Sequence, residues 1–197
     1  VNELDKIGIT AFEVSVVESS FGRIEVYLGL GIGIDISKTE MLLSQMFSMP
    51  IGLDKDYGGP LMKFVSMPRH SAQVAMRQIK SDESEISGDS VASFETDDRK
   101  KYVIIADGMG SGKKARRESR ITLKLLREFL SAGFGVETSI EMINSALCLK
   151  LENDMFSTID LLCIDLITGT AEFYKIGAAE SLISRSGNIE TVFSVSM

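Results

Sequence analysis

An unbroken apolar run, Tyr102-Val-Ile-Ile-Ala106, leads directly into Asp107-Gly-Met-Gly-Ser-Gly112, and a long amphipathic stretch follows. Strand, acidic residue, glycine-rich bend and helix in that order deliver one carboxylate to the end of a sheet. The glycines let other groups come close to the backbone there. Upstream, Asp89 in Ser87-Gly-Asp-Ser90 begins a segment that reads as the preceding strand, with Thr96-Asp-Asp-Arg-Lys100 as the polar turn between the two. With that turn centred on Asp98, Asp89 and Asp107 lie equally far from it and face one another across the hairpin.

Directly opposed side chains in an antiparallel pair have Cβ atoms about 4.5–5.5 Å apart, and like charges there are destabilising. At about 5 Å and an effective dielectric of ~20, two carboxylates repel by roughly 3 kcal/mol. A shared cation relieves that repulsion, and hard oxygen ligands suit magnesium or manganese better than zinc. A turn one residue longer or shorter would carry Asp89 to the other face of the sheet. Spacing alone therefore leaves a second reading open, in which Asp89 caps a turn and Asp107 caps the next helix.

Other chemistries have little to start from. The chain holds one histidine, His70, and two cysteines, Cys148 and Cys163, with no CxxC spacing, so neither a catalytic triad nor a zinc site is indicated. Both cysteines read as reduced core residues and His70 as a turn or surface residue. The net charge of −7 argues against a generic nucleic-acid binder. The longest apolar stretch, Val26–Ile34, falls well short of the ~20 residues that span a bilayer. A chain of 197 residues opening on Val1 reads as a main domain with a small appendage, cut from a longer polypeptide.

Two regions follow from the pattern. Residues 1–66 contain strand-like runs at 9–17 and 23–28 and a helix over 37–47, where Ser37 and Glu40 have the form of a capping box. Residues 67–197 carry a strand over Val74–Ile79, the Asp89–Asp107 hairpin, helices over 113–132 and 138–151 with Thr138 or Ser139 as N-cap, and a β-meander from Ser157 to Phe193. Strands, a helical pair and a meander predict an α+β fold in which helices cover one face of an antiparallel sheet.

The bend itself departs from the phosphate-loop pattern at both ends and from the dinucleotide turn at Lys113, and the alternating Gly29, Gly31 and Gly33 lack a dinucleotide fingerprint too. Lys113, Lys114, Arg116 and Arg117 at the start of a helix oppose its macrodipole, by roughly 0.3–1 kcal/mol each when exposed. Phosphate held there by Lys113 and Lys114 is one use for them, and a solvated basic face is the other.

Taken together, Ser87-Gly-Asp-Ser90, Ala106-Asp-Gly-Met-Gly-Ser-Gly112 with Ala115, Glu118 and Ser119, Phe156-Ser-Thr-Ile-Asp160 ahead of Asp165-Leu-Ile-Thr-Gly169, and Ile176-Gly-Ala-Ala179 resemble the stage II sporulation protein E family. That family belongs to the metal-dependent phosphatases related to protein phosphatase 2C. The resemblance covers roughly residues 66 to 197. It implies an α/β/β/α sandwich with two Mn²⁺ or Mg²⁺ ions between its sheets, Asp107 bridging both, Gly108 offering its carbonyl, and Asp89 in or just behind the ligand set. It also implies a phosphoserine substrate on an anti-sigma-factor antagonist, and a cytoplasmic domain of a bacterial membrane protein whose linking segment is residues 1–66.

Family members continue into further strands bearing a second Asp-Gly and a final aspartate. With Met197 as the end, the sandwich is incomplete at its C-terminus and weak or absent turnover is the expectation. Glu180 stands where the family usually has proline, and Asp160 and Asp165, five apart on one strand, point to opposite faces. The alternative is a non-catalytic module that binds a partner protein or dimerises, with a vestigial metal site. A nucleotide-binding switch is a weaker third.

Overall fold

The computed structural model describes residues 5–6, 10–18, 23–31, 35–79, 86–108, 110, 112–150 and 157–193. The chain divides into two units, Val1–Ser71 and Ala72–Met197. In the first, strands β1 (Ala11–Glu18), β2 (Ile24–Leu30), β3 (Ile51–Leu53) and β4 (Met62–Ser66) form an antiparallel sheet in the order β1-β2-β4-β3. Helix α1 (Ile36–Phe47) sets Leu43 into a core with Val26, Leu28, Ile51 and Phe64.

The helix is capped differently from the sequence expectation. Asp35 is the N-cap, its Oδ1 accepting from the Lys38 amide at 3.1 Å, so Ser37 and Glu40 form no capping box. Glu40 is drawn instead to the Leu53 amide, which donates to its Oε1 at 2.9 Å and ties the helix to β3. A carboxylate two residues closer to the first free amides satisfies the helix start and frees Glu40 for a tertiary bond. Gly29 lies within β2 beside the Phe12 ring, as a strand residue. Gly33 is outside the described residues.

The second unit is built on β5 (Ser90–Glu95), β6 (Lys100–Gly108), β7 (Ser157–Asp165) and β8 (Ala171–Ile176), antiparallel throughout and in that order. Helices α2 (Gly112–Ser131) and α3 (Val136–Lys150) cover one face, and β9 (Ser181–Arg185) and β10 (Asn188–Val192) form a separate hairpin. Alternation along β6 sends Tyr102, Ile104 and Ala106 under the helices, where they meet Leu123, Leu126, Ile143, Ile159 and Leu161. The opposite face carries Ile105, 46% exposed, and Asp107. This is the α+β arrangement expected. Among the described residues it supplies one helix layer and one sheet of the sandwich.

Helix α2 ends at a Schellman motif: Phe134 donates to the Phe129 carbonyl, Gly133 (φ 88°) to that of Leu130, and the Phe129 and Phe134 rings meet edge to face at 5.8 Å. Helix α3 starts three residues earlier than Ser139, because the Ser139 amide and hydroxyl both donate to the Gly135 carbonyl, at 2.9 and 2.8 Å. Ser139 is therefore a buried helix residue, and neither it nor Thr138 is the cap. Val74–Ile79 forms no strand. The segment has no sheet partner and leaves Met76 and Ile79 exposed, with Gln78 donating its side-chain amide to the Asp89 carbonyl at 2.7 Å. Cys163 is a buried free thiol, whereas the Cys148 side chain lies outside the described residues. His70 is exposed. Among the described residues no helix is long and apolar enough to cross a membrane.

Candidate functional site

The β5–β6 ladder runs from Glu95↔Lys101 to Ser90↔Ala106, and one step further sets Asp89 opposite Asp107. The turn that fixes this register is closed by the Thr96 amide to the Lys100 carbonyl and the Arg99 amide to the Thr96 carbonyl, both at 3.0 Å, with Arg99 left-handed at φ 63°. Asp107 lies on the face away from the helices. Its side chain is within hydrogen-bond reach of Asp89, and partial burial together with the Asp89 carboxylate pushes the Asp107 carboxyl up to about 6.

The strand end holding Asp89 is anchored on α2. Ser119 Oγ donates to the Gly88 carbonyl at 2.6 Å and meets Ser90 Oγ at 2.7 Å, and Arg116 reaches the Ser87 carbonyl at 3.3 Å. Ser87 Oγ lies 3.3 Å from both the Asp89 amide and Oδ2. Across β6, Ser157 Oγ donates to the Asp107 carbonyl at 3.0 Å. Gly108 sits so close to the helix that a Cβ there would fall 2.1 Å from the Ala115 carbonyl oxygen. The first turns of α2 thus press directly on the strand end that presents Asp107.

Lys113 lines a concavity with Ile86, Arg117 and Ile121, Lys114 is exposed, and the Asp107 perturbation comes from burial and Asp89 rather than from either lysine. Among the described residues no third His, Cys, Asp or Glu joins Asp89 and Asp107. Asp160 is committed elsewhere. It faces Lys175 across β7–β8, and its Oδ2 takes the Lys175 ammonium at 2.7 Å and Ser181 Oγ at 3.1 Å, with Lys175 also donating to Ser181 at 2.7 Å. The Lys175 side chain is only 3% exposed. Asp165 caps its own turn, accepting from the Ile167 and Thr168 amides at 2.8 and 3.0 Å.

The Asp160–Lys175–Ser181 cluster stands one pleat from Asp107 on the same face and pins the start of β9. Lys175 is legible only by the count outward from the β7–β8 turn, which pairs it with Asp160 just as the first hairpin pairs Asp89 with Asp107. Glu118 was also missed as a structural anomaly. It is 5% exposed on the buried side of α2, and neither carboxylate oxygen has a hydrogen-bond partner among the described residues. A buried carboxylate in that state opposes folding. Glu118→Met, which keeps the volume, is expected to raise stability by about 1–2 kcal/mol, read as a higher urea midpoint. A lower midpoint would show that the carboxylate has a partner in solution.

The raised Asp107 pKa has a definite sign. A carboxyl that binds its proton more tightly in the fold than in the unfolded chain favours the fold most below about pH 4. That contribution is lost as pH rises through about 6. In the metal-free protein, the Asp107 carboxyl resonance is expected to titrate near pH 6, and its midpoint should drop toward the ordinary range in Asp89→Asn. An unmoved midpoint would mean the two groups do not interact.

The family model for stage II sporulation protein E matches residues 97–195, about half of the chain. The chain belongs to the stage II sporulation protein E (SpoIIE) family. The match takes in Asp107 and Gly108 and begins after Asp89. The chain is 39% identical over 107 residues to stage II sporulation protein E of Bacillus subtilis (strain 168), an alignment spanning 54% of this chain and 13% of that protein. For the Priestia megaterium protein the identity is 40% over 104 residues, spanning 53% of this chain and 18% of the relative. The chain is also similar to the solved PP2C phosphatase domain, with a fragment of the regulatory domain, of the cell fate determinant SpoIIE from Bacillus subtilis. The TM-score is 0.66 at 26% identity, covering 98% of this chain and 61% of that one. The fold is PP2C-like. The aligned part of the chain spans under a fifth of the length of each of these two SpoIIE relatives.

Proposed function

We propose that this chain carries the Asp89–Asp107 part of the active site of a divalent-metal-dependent phosphoserine phosphatase. The observation that carries the reading is the facing of Asp89 and Asp107 on the open side of the sheet, within hydrogen-bond reach of each other. The donor set fits the metal. Two carboxylates that repel, with one held up to about 6, are hard oxygen ligands whose strain a divalent cation relieves. Asp89, Asp107 and the Gly108 carbonyl would hold manganese or magnesium, two ions in the complete site. Such ions supply, when bound, a water acidified to near neutrality and neutralisation of phosphoryl charge.

The chain's own part is positioning. Ser119 and Arg116 hold the Ser87–Gly88 backbone, Ser157 holds the Asp107 carbonyl, and together they set the two carboxylates side by side before any ion binds. Family membership supports a substrate phosphoserine on an anti-sigma-factor antagonist in sporulation, and a setting as a cytoplasmic domain of a membrane protein.

Two measurements test the reading. The full-length protein should hydrolyse a phosphoserine peptide with Mn²⁺ or Mg²⁺ and stop when EDTA is added, and calorimetry should show Mn²⁺ binding that Asp107→Asn abolishes. Turnover that persists in EDTA overturns the proposal. No heat of binding in the parent would favour a partner-binding module instead.

A further inference from the structure

The outward side of α2 collects positive charge to an unusual degree. Lys113, Lys114, Arg117, Arg120 and Lys124 are all exposed within its first four turns. Lys113 and Arg117, Arg116 and Arg120, and Arg120 and Lys124 are neighbours four residues apart, a like-charge spacing that weakens a helix. The first of them also oppose the helix dipole. Among the described residues the ion pair on this helix is Lys124 with Glu128 at 3.8 Å, and its other acid of that stretch, Glu118, is buried on the far side. All this sits on a chain of net charge −7. A locally unfavourable pattern that no acid among the described residues compensates beyond Glu128 marks a surface fit for something outside the chain.

The shape beside this stripe narrows what that is. A concavity of about 680 Å³ has Ile86 and Ile121 in its lining and Lys113, Arg117, Arg120 and Lys124 around them. Inorganic phosphate would leave the aliphatic lining unused. A nucleic acid would find no aromatic ring there on which to stack a base. A bilayer surface would meet cations first and could not enter the recess. An acidic peptide with one aliphatic side chain satisfies both parts, its carboxylates on the rim and its side chain against the two isoleucines.

We propose that this face of α2 docks an acidic, aliphatic-bearing segment of a protein partner, with Arg117, Arg120 and Lys124 taking its carboxylates and Ile86 and Ile121 its apolar side chain. The inference goes beyond the phosphatase reading and stands whether or not the aspartate pair holds metal, because its test requires no turnover.

The probe is a fluorescein-labelled twelve-residue peptide of Asp and Glu with one central Leu, titrated with this chain and followed by anisotropy. Saturable binding is expected, weakening steeply as salt rises. Replacing the Leu by Ser should weaken it about tenfold or more, and Arg117→Glu with Arg120→Glu should do the same. The double variant should melt no lower than the parent, since Glu at these positions relieves like-charge contacts. Absent binding, equal affinity for the Leu and Ser peptides, or an insensitive double variant each overturn the proposal. So does tighter binding to a single-stranded dC oligonucleotide or to phosphatidylserine vesicles than to the peptide. A double variant that melts several degrees lower would show that these cations serve the chain's own acids, and the proposal fails on that result too.

Discussion

Asp107→Asn is expected to lower metal-dependent phosphopeptide hydrolysis by the full-length protein by about 10³-fold or more, while the metal-free domain melts at or slightly above the parent temperature. The first half follows from what the carboxylate is asked to do. Charge neutralisation at a phosphoryl group by a bound cation contributes several kcal/mol to the transition state, and each 1.4 kcal/mol is about tenfold in rate. The second half follows from geometry. Asp107 faces Asp89 and is pushed up to about 6 by partial burial and by that neighbour, so at neutral pH the fold holds two carboxylates that repel. Removing one charge takes the repulsion away. Because Asp107 is exposed, solvent reduces the gain to about 1 kcal/mol or less. The opposite signs are the diagnostic. A merely structural Asp107 would lose activity and stability together, and a fall in both would sink the metal assignment.

Gly108→Ala is expected to be the most destabilising single methyl in the second unit. The added Cβ would lie 2.1, 2.7 and 2.9 Å from the carbonyl oxygen, carbonyl carbon and Cα of Ala115. These are backbone atoms of a helix whose Ala115 is fully buried, so no side chain can swing aside. Either α2 lifts from the strand end or β6 bends, and overpacking of this kind costs about 3 kcal/mol. For a domain of this size that is a fall of roughly 10 °C in melting temperature. Gly110→Ala provides the contrast. Its Cβ would enter open space, but φ is +87°, so the expected cost is about 1 kcal/mol of backbone strain alone. Equal effects at the two positions would mean that the close approach of α2 to Gly108 does not exist in solution.

These two predictions separate what a hairpin count can reach from what it cannot. The Asp89–Asp107 pairing was legible because a β-ladder has a side-chain period of two and a register set by its turn. Thr96–Lys100 is polar enough to be recognised as that turn. Residue periodicity likewise placed α2, whose Gly133 stop is a local signal. The strand assigned to Val74–Ile79 failed for the matching reason. Alternation describes a segment able to pair, and nothing within it says whether a neighbouring edge is available. The caps of α1 and α3 were misjudged because Glu40 and Ser139 each found a partner more favourable than the local motif, Leu53 in one case and the Gly135 carbonyl in the other.

By itself the amino-acid order determined the element types, the antiparallel α+β class and the meeting of two aspartates at one end of a hairpin, since each depends on contacts close along the chain. Tertiary structure alone decided that Gly108 lies against Ala115, that Glu118 is sealed away from water with no partner among the described residues, that Lys175 occupies Asp160, and that a cationic stripe borders an aliphatic recess. Each of these is a question of which surfaces meet, and burial is a property of the packed layers that no local pattern encodes.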